Sequence, residues 1–429
     1  MHTGQTAAGH AFVVAIGALL VACSGILPVL GELQPAAPAS CKPTSLGETF
    51  VVASRTPDSA SGATSSTNST LWNNEDPALL RVAGSMLLVF KSNRTGGSHL
   101  FSRIGSASSA TQWGPAAQIT DSSDEDNYPT LATCGSPGKI ALAWFRINAT
   151  SRVADIWFAR SADGGRSWGS PQQLTNEPST DWVPRMSFDD ASGTLYLVWA
   201  SSRRSSRATQ YRTYVAAAGI AAVVLSVNPS WCQRYNRYMM SSEDCGTTWS
   251  PPQVVYNDQD GITDSFPDVL VTPEGPDQNS SLFVIFTRAF EGSHTQKQLW
   301  ATRSYDCGHT WQHLKPITLF SSAPHVGTTN TFASLFAATA GASPDVCVTY
   351  TSNGFSPFGN IAVGPMLNTT AVVTVGEGGL FPQYSGHVAW LESSSRSTGE
   401  RSLLVAWVSG PNQSTPGAHQ IQVRIAEFA

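Results

Sequence analysis

The sequence repeats one short polar turn that ends in a tryptophan. The turn occurs as SADGGRSW, SEDCGTTW and SYDCGHTW, at Ser161–Trp168, Ser242–Trp249 and Ser304–Trp311. Its aspartate is suited to accept hydrogen bonds from backbone N–H groups two or more residues further on, and its glycine allows a positive φ. The tryptophan begins the next strand, and we expect its ring to pack beneath the turn. The motif therefore predicts a structural hairpin turn and not a ligand site. The residues predicted to carry this role are Ser161, Asp163, Gly165, Trp168, Ser242, Asp244, Gly246, Trp249, Ser304, Asp306, Gly308 and Trp311.

The three turns lie within a longer repeat. Four of its six copies start at an Asp that is followed by a Pro one or three residues later, and the repeat continues through two apolar strands and a third strand to the polar turn. The copies begin at Asp76, Asp126, Asp181, Asp264, about Thr331 and Tyr384. Most starts are about 50 to 60 residues apart, which is the period of a four-stranded propeller blade. The repeat therefore predicts an all-β fold, a six-bladed β-propeller of four-stranded antiparallel blades.

The two ends of the repeat region each supply a further strand. GETFVVAS covers Gly47–Ser54, and HQIQVRIAEF covers His419–Phe428. Pairing these strands in one blade removes two exposed sheet edges, which favours closure of the ring. We expect the propeller domain to span residues 45–429, with a flexible loop at Arg55–Thr70.

The interval between the third and fourth copies is too long for one blade. The excess lies at about residues 203–234 and contains the apolar run TYVAAAGIAAVVLSV, Thr213–Val227, which is short for a membrane span. Three interpretations stay open: a helical insertion packed on the blade, a segment that touches a membrane beside its flanking arginines, or an error in the gene model. Because the repeat resumes at NRYMMSSEDCGTTW, we expect the core not to need this segment.

Residues 1–31 are predicted to form a signal peptide or an N-terminal anchor. The sequence is apolar from residue 11 to residue 31 apart from Ser24, which favours a signal peptide but approaches membrane-spanning length. LVAC, at Leu20–Cys23, also matches a bacterial lipoprotein box. We expect a secreted or cell-surface protein that meets a membrane only through this segment. Six Asn-x-Ser/Thr sequons fit a secreted glycoprotein.

The composition argues against several classes of function. Charged residues make up 13% of the chain, the net charge is −5 and no basic stripe is present, so we expect no nucleic-acid partner. If Cys23 is removed with the leader, six cysteines remain, which is compatible with three disulfides, and none has zinc-binding spacing. We expect no metal, no cofactor and a monomeric protein.

With three polar turns and six blade-length repeats, the sequence resembles the sialidase (neuraminidase) superfamily, whose propellers carry Asp-box or BNR repeats. A degenerate fourth turn, SRIGSASSATQW at Ser102–Trp113, lacks the aspartate. The resemblance covers about residues 47–429 and implies a sialidase-like propeller. It does not by itself imply an enzyme, because propellers with many functions carry these turns.

The resemblance implies a defined catalytic set against which this chain is compared. Family enzymes clamp the carboxylate of sialic acid with three arginines, because guanidinium groups pair with it bidentately. They use a Tyr nucleophile, a Glu that acts as its base and an Asp acid/base. In this sequence Arg288, in VIFTR, matches one arginine, and Tyr384, in QYSGHVAW, matches the nucleophile.

The remaining positions of that set do not match. Glu75 stands where the resemblance places the first arginine, and Phe266 stands where it places the glutamate. The stretch expected to hold the third arginine, His325–Phe336, has none, and Lys91–Leu100 lacks the expected carboxylate. The catalytic set is therefore incomplete by sequence, with Tyr384 as the one catalytic candidate.

The mouth of the propeller channel is the predicted ligand site. The candidate ligand-binding residues there are Asp126, Arg146, Asp181, Arg185, Asp264 and Arg288. Arg146 and Arg288 occupy the same place in two repeats, and such a ring of mixed charge suits a polar or sugar-like ligand. The alternative is that each repeat-start aspartate is a turn residue that bonds the neighbouring backbone.

Together these features predict a sialidase-like propeller, secreted or tethered to the cell surface, that binds a glycan or glycoprotein without an intact sialidase catalytic set. The alternative is a divergent exo-α-sialidase, a glycoside hydrolase with Tyr384 as nucleophile and Arg288 in the clamp.

Overall fold

The computed structural model is all-β, and the residues that it describes form 24 strands, numbered here in chain order. It describes residues 41, 43–54, 72–176, 178–201, 212–218, 245–246, 248–250, 252–255, 262–274, 279–290, 297–312, 315–316, 330–337, 346–352, 360–366, 373–376, 383–391, 401–410 and 419–428. At residues 212–218, 253–254, 262–265, 273–274, 279, 289–290, 315–316, 330, 360 and 383–385 it describes the backbone alone.

The described strands form six four-stranded antiparallel sheets. Sheet 1 contains β2 (Asn74–Val82), β3 (Ser85–Ser92), β4 (His99–Ser106) and β5 (Ala117–Gln118). Sheet 2 contains β6 (Glu125–Thr133), β7 (Ile140–Ile147), β8 (Ala154–Ser161) and β9 (Gln172–Gln173). Sheet 3 contains β10 (Asp181–Asp189), β11 (Thr194–Ser201), β12 (Arg212–Ala218) and β13 (Gln253–Val254). Sheet 4 contains β14 (Ile262–Glu274), β15 (Asn279–Phe290), β16 (Lys297–Ser304) and β17 (Lys315–Pro316). Sheet 5 contains β18 (Asn330–Ala337), β19 (Val346–Ser352), β20 (Asn360–Pro365) and β21 (Val373–Thr374). Sheet 6 contains β22 (Gln383–Trp390), β23 (Arg401–Ser409), β24 (Gln420–Phe428) and β1 (Ser45–Ala53).

The sheets are the blades of a β-propeller. The first strand of each sheet contacts the first strand of the next, in the cyclic order β2, β6, β10, β14, β18, β22 and back to β2. A cluster of buried apolar side chains fills each interface between successive sheets. The core thus consists of apolar layers between successive sheets, and its largest fully buried side chains include Trp144, Trp199 and Trp407 on the second strands.

The ring closes through the two termini, which confirms the predicted pairing. β1 pairs antiparallel with β24, with Phe50 opposite Val423, and so becomes the outer strand of sheet 6. A disulfide between Cys41 and Cys347 ties the start of β1 to sheet 5. A second disulfide joins Cys134 of sheet 2 to Cys245 in the polar turn of sheet 3.

The polar turns hold their own hydrogen-bond networks. In SADGGRSW the Ser161 hydroxyl donates to Asp163 Oδ1 (2.8 Å) and accepts from the Gly165 N–H (2.9 Å). Asp163 also accepts from the backbone N–H of Ser167 (2.9 Å) and from its hydroxyl. Hydrogen bonds from Ser167 and Ser161 lower the pKa of Asp163 to about 2. Trp168 packs on the apolar layer between sheets 1 and 2.

The third turn repeats this arrangement. The Ser304 hydroxyl donates to Asp306 Oδ1 (2.7 Å) and accepts from the Gly308 N–H (2.8 Å). Trp311 packs on the apolar layer between sheets 3 and 4. In the second turn, Gly246 and Trp249 are described and Trp249 packs on Phe158, whereas Ser242 and Asp244 lie outside the described residues. SASSATQW occupies the same place in sheet 1, where Trp113 donates to the Ala110 carbonyl instead.

Part of the segment interpreted as an insertion belongs to a blade. Arg212–Ala218 forms β12, which pairs with β11 along its whole length, with Val215 opposite Val198. The expectation that the core does not need residues 203–234 is therefore corrected for this stretch. The rest of that segment, the N-terminal residues 1–40 and the loop at residues 55–71 lie outside the described residues. Within the described ranges, no helix has the length and apolar composition of a membrane span.

Candidate functional site

The same β-bulge interrupts the first strand of every sheet. In five sheets the bulge residue has a positive φ although it is not glycine, and these residues are Asp76, Tyr128, Val183, Phe266 and Phe332. A proline follows four of them, where the interrupted ladder needs no N–H donor. In sheet 6 the shift in register falls between Tyr384 and His387. The bulge changes the direction of one side chain in each blade, at an equivalent position of each first strand.

Three of these bulge residues meet at the centre of the propeller. The rings of Phe266 and Phe332 lie 4.2 Å apart between centroids, and Tyr128 lies 6.3 Å from Phe266 and 6.4 Å from Phe332. Tyr128 belongs to sheet 2, which does not adjoin sheet 4 or sheet 5 in the ring. The rings therefore close the channel across its axis. We call Tyr128, Phe266 and Phe332 the axial aromatic cluster, and each of them is partly exposed.

Arg146 and Asp126 form a bidentate ion pair beside this cluster. Arg146 donates from Nε to Asp126 Oδ1 (2.7 Å) and from Nη2 to Oδ2 (3.2 Å), and Trp144 donates to the same Oδ1 (2.6 Å). The guanidinium also lies over the ring of Trp157, 4.3 Å from its centroid. Both charged groups are buried. Asp126 thus binds side chains and not the neighbouring backbone that the turn interpretation expects.

Arg288 occupies the equivalent register position in sheet 4. Arg146 is opposite Asp126 in the ladder of sheet 2, and Arg288 is opposite Asp264 in that of sheet 4, as the repeat predicts. Arg288 is buried and its guanidinium lies 4.7 Å from the centroid of the Trp300 ring. Asp264 is placed by its backbone alone.

In sheet 1, Arg94, which is outside the candidate set, binds residues at the equivalent register position. Arg94 donates from Nη2 to Asn74 Oδ1 (3.0 Å) and from Nε to Ser92 Oγ (3.1 Å). Asn74 and Ser92 are opposite each other at the register position of Asp126 and Arg146. Arg94 comes two residues later in the chain than the strand-end arginines, so the repeat alignment did not single it out.

A second buried pair lies two residues past the bulge, where Arg185 of sheet 3 faces Asp268 of sheet 4 at 3.8 Å. Asp268 also accepts a hydrogen bond from the backbone N–H of Leu335 in sheet 5 (2.6 Å). Burial raises the pKa of Asp268 to about 6, although Arg185 opposes the rise. At the same level, burial and the charge of Arg185 lower the pKa of His387 to about 3, so this imidazole stays neutral. Asp181 of the candidate set is fully buried as well.

Glu75, directly before the bulge of sheet 1, is a partly exposed carboxylate. It pairs with Lys91 at 2.5 Å and with Nδ1 of His419 at 2.7 Å. Burial opposes its ionisation, but the hydrogen bond with His419 and the charge of Lys91 outweigh burial and lower the pKa of Glu75 to about 2. The position that the sialidase resemblance assigns to an arginine therefore carries a permanent negative charge.

Asp76, the next residue, has a raised pKa, whereas that of Glu75 is lowered. It is buried at a φ of 52°, and its Oδ2 atom has no hydrogen-bond partner. Burial raises its pKa to about 6, against the charge of Lys91 and with the charge of Glu75. Tyr384, the catalytic candidate, takes in sheet 6 the place that Glu75 takes in sheet 1, directly before the bulge, and its backbone alone is described.

The axial aromatic cluster was missed by the sequence analysis, although a signal for it exists. In NYP, SFP and TFA the aromatic residue directly precedes the Pro or Ala that follows the bulge. The site predicted from the sequence consists of the repeat-start acids two residues earlier, and Phe266 enters it only as the replacement of a glutamate. Among the described residues, no group of acidic, histidine or cysteine side chains has the arrangement of a metal site.

Comparisons with known proteins agree on the fold. No protein-family model matches the sequence, and no curated protein matches it. A Trypanosoma rangeli sialidase in complex with the inhibitor DANA is similar, with a TM-score of 0.53 and 13% identity. The match covers 83% of this chain and 56% of that chain, so the present chain spans little more than half of the sialidase's length.

Two other solved structures match over almost their full length. A Penicillium chrysogenum alpha-L-arabinanase complexed with arabinobiose has a TM-score of 0.55 at 14% identity, covering 89% of this chain and 99% of that chain. A GH93 alpha-L-arabinofuranosidase of Fusarium graminearum with arabinobiose has a TM-score of 0.51 at 12% identity, covering 89% and 98%. At these identities the likeness shows a shared fold alone, a β-propeller.

Proposed function

We propose that this chain is a sialidase-like Asp-box propeller with six blades that binds a glycan or glycoprotein at the mouth of its channel and has no intact sialidase catalytic set. The six sheets and the cyclic contacts of their first strands support the number of blades. The hydrogen bonds made by Asp163 and Asp306 support the assignment of the polar turns as Asp-boxes.

The main support for this proposal is that the arginines at the mouth pair with aspartates of the same chain. A clamp for a sugar carboxylate needs guanidinium groups that turn toward the ligand. Here Arg146 is held bidentately by Asp126, and Arg185 faces Asp268. Recruiting Arg146 to a ligand would leave Asp126 buried without its partner, which costs roughly 3–5 kcal/mol. With Glu75 at the first clamp position, the mouth does not favour a sialic acid carboxylate.

The similar structures support a carbohydrate as the ligand. Two of them hold arabinobiose and the third is a sialidase. In this chain, the aromatic rings occupy the bulges of three blades, and the partly exposed pair of Glu75 and Lys91 lies directly before the bulge of sheet 1. Apolar and polar surface of this kind is what small-molecule sites combine.

The alternative, a divergent exo-α-sialidase or other glycoside hydrolase, has support from one observation of register. Tyr384 and Glu75 take the same place in sheets 6 and 1, whose first strands contact each other. The resemblance implies a tyrosine nucleophile with a carboxylate base, and these two equivalent register positions supply one residue of each type.

Hydrolysis of a fluorogenic sialoside separates these two functions. We expect no turnover above the blank by the wild-type protein. Tyr305→Phe is the matched control for Tyr384→Phe, because Tyr305 is an exposed tyrosine in a polar turn. Turnover by the wild type and by Tyr305→Phe that is abolished in Tyr384→Phe would establish the alternative and overturn the proposal.

The binding role has its own measurement. We expect the full chain to retain a subset of glycans on a microarray that carries both neutral and sialylated structures. A protein that folds, as judged by a cooperative thermal transition, and retains no glycan and no glycoprotein would contradict the binding role.

We also propose that the protein is a secreted or surface-tethered monomer. The sequons and the leader-like residues 1–31 support this location. Expression in a secreting eukaryotic cell, followed by N-terminal sequencing and enzymatic deglycosylation of protein recovered from the medium or cell surface, tests it. Retention of unglycosylated protein in the cytosol would contradict it.

A further inference from the structure

We propose that the axial aromatic cluster is the floor of a subsite that stacks against the apolar face of an uncharged sugar ring. This inference rests on the proposed glycan-binding function and names the ligand class for that site. It assigns ligand contact to Tyr128, Phe266 and Phe332, instead of to the buried arginines and aspartates of the candidate set.

The geometry of the cluster suits stacking. Tyr128 and Phe332 are nearly parallel, with 8° between their ring planes, and Phe266 is tilted by 49° against Phe332. Phe145 extends the cluster on one side, with its centroid 5.6 Å from that of Tyr128. The three floor rings are partly exposed, although rings of this size are normally buried more completely in a core. The C–H groups on one face of a pyranose or furanose ring are apolar and pack on such a surface.

Backbone strain fixes the floor in place. Tyr128, Phe266 and Phe332 have φ values of 49°, 49° and 53°, a region that bulky residues rarely adopt. Such strain persists only where the surrounding structure enforces it, and it is typical of binding and catalytic sites. The bulge repeats in every blade, but an aromatic ring occupies it in the three blades whose side chains meet on the axis.

The charges around the floor select against an anionic ligand. Asp76 is the bulge residue of sheet 1, equivalent in register to the three floor residues, and Glu75 directly precedes it. Burial raises the pKa of the Tyr128 phenol well above its ordinary value, the negative charges of Asp76 and Glu75 add to the rise, and the charge of Arg185 opposes it. The positive charges nearest to these groups are compensated by carboxylates, that of Lys91 by Glu75 at 2.5 Å and that of Arg185 by Asp268 at 3.8 Å. A sugar carboxylate would therefore meet negative charge at the floor.

The same surroundings offer hydrogen bonds to hydroxyl groups. Glu75 and Lys91 keep 15% and 19% of their side-chain surface exposed, so an acceptor and a donor remain accessible at the mouth. Sugar hydroxyls use both kinds of partner. An aromatic floor with one acceptor and one donor beside it is thus complementary to a neutral sugar.

Saturation-transfer difference NMR with three methyl glycosides tests the inference. The probes are methyl β-D-galactopyranoside, methyl α-L-arabinofuranoside and the methyl α-glycoside of sialic acid. We expect the wild-type protein to give signals with at least one neutral glycoside, strongest for the ring protons of one face, and none with the sialoside. This comparison needs no variant.

Two variants then locate the contact. Phe266→Leu and Phe332→Leu keep an apolar side chain at the bulge and remove the ring, and we expect each to reduce the neutral-glycoside signal by several-fold. Phe188→Leu, at a partly buried phenylalanine on β10 outside the cluster, is the matched control and should keep the signal. A thermal transition like that of the wild type shows that each variant folds.

The outcomes separate this inference from the proposed function. Two outcomes would overturn the subsite and leave a glycan-binding protein. In the first, the wild type gives signals with the sialoside and not with the neutral glycosides. In the second, the neutral-glycoside signals are unchanged in both folded variants. The absence of signals from all three probes, together with a glycan array without retained ligands, would overturn both. Retention of sialylated glycans alone on the array would overturn the subsite only.

Discussion

At the scale of the residue, surroundings give chemically identical groups different properties. Asp126 and Asp76 are both buried repeat-start carboxyls. Asp126 receives hydrogen bonds from Arg146 and Trp144, so its charge is fully compensated. Asp76 has an oxygen without a partner and a pKa raised to about 6 by burial. The two carboxyls should therefore respond in opposite ways to the loss of their charge.

Asp76→Asn should stabilise the protein at pH 8 and have little effect at pH 4. The pKa of Asp76 in the folded state, about 6, lies above its value in the unfolded chain, which is about 4. The folded state therefore binds the proton more tightly, and this contribution to stability is lost as the pH rises from about 4 to 6. The amide mimics the protonated acid, and its gain at pH 8 is on the order of 2–3 kcal/mol by this linkage. Urea unfolding at both pH values measures it.

Asp126→Asn is the control of the same residue type. It should destabilise the protein at pH 8, because Arg146 is left buried without its bidentate partner. Equal effects of the two substitutions at pH 8 would show that the environments of Asp76 and Asp126 do not differ as described.

At the scale of the element, the polar turn links one blade to the next. Gly165 of the turn in sheet 2 has a φ of 84°, and a Cβ atom there would lie 2.7 Å from Cδ2 of Leu87 in sheet 1. The glycine is required both by its backbone conformation and by close packing on the neighbouring blade. The turn is thus part of the apolar layer as well as a self-contained hydrogen-bond network.

Gly165→Ala should lower the melting temperature by more than Gly84→Ala. Gly84 has a similar φ, 79°, but nothing lies within 4 Å of a Cβ placed there. The control therefore carries only the backbone strain, about 1–2 kcal/mol, whereas Gly165→Ala adds the displacement of Leu87. Differential scanning calorimetry of both variants measures the difference. Equal melting temperatures would mean that Leu87 adjusts at no cost.

At the scale of the whole molecule, closure depends on residues from opposite ends of the chain. β1 completes sheet 6 by pairing with β24, and Cys41 ties this strand to Cys347 in sheet 5. The disulfide spans a sequence separation of 306, compared with 111 for Cys134–Cys245. In the chain-entropy description, the longer loop constrains the unfolded state more.

Replacing Cys41 and Cys347 together by serine should reduce the free energy of unfolding by roughly 3–5 kcal/mol. The matched double variant, Cys134→Ser with Cys245→Ser, should lose less, since its loop is shorter. Guanidinium unfolding of both proteins gives the comparison. A larger loss from the second pair would show that contacts between blades, and not closure of the ring, determine the contribution of these disulfides.

The sequence by itself determined the blades and their closure. The spacing of DNYP, DWVP and DSFP placed the first strands, and the Ser-x-Asp-x-Gly turns placed the hairpins, because both depend on local backbone requirements that short motifs express. The same comparison identified Arg146 and Arg288 as equivalent, which the strand register bears out. It interpreted Arg212–Ala218 as dispensable, because an apolar run next to arginines carries no local signal of its partner strand.

Only the tertiary structure decided which side chains meet at the axis. Tyr128, Phe266 and Phe332 are separated by more than sixty residues at the nearest and lie in blades 2, 4 and 5, so no local pattern relates them. Likewise, the pairing of Arg185 with Asp268 and the opposite environments of Glu75 and Asp76 arise from burial between blades. A repeat specifies each blade, but the chemistry at the channel depends on how the ring brings differing copies together.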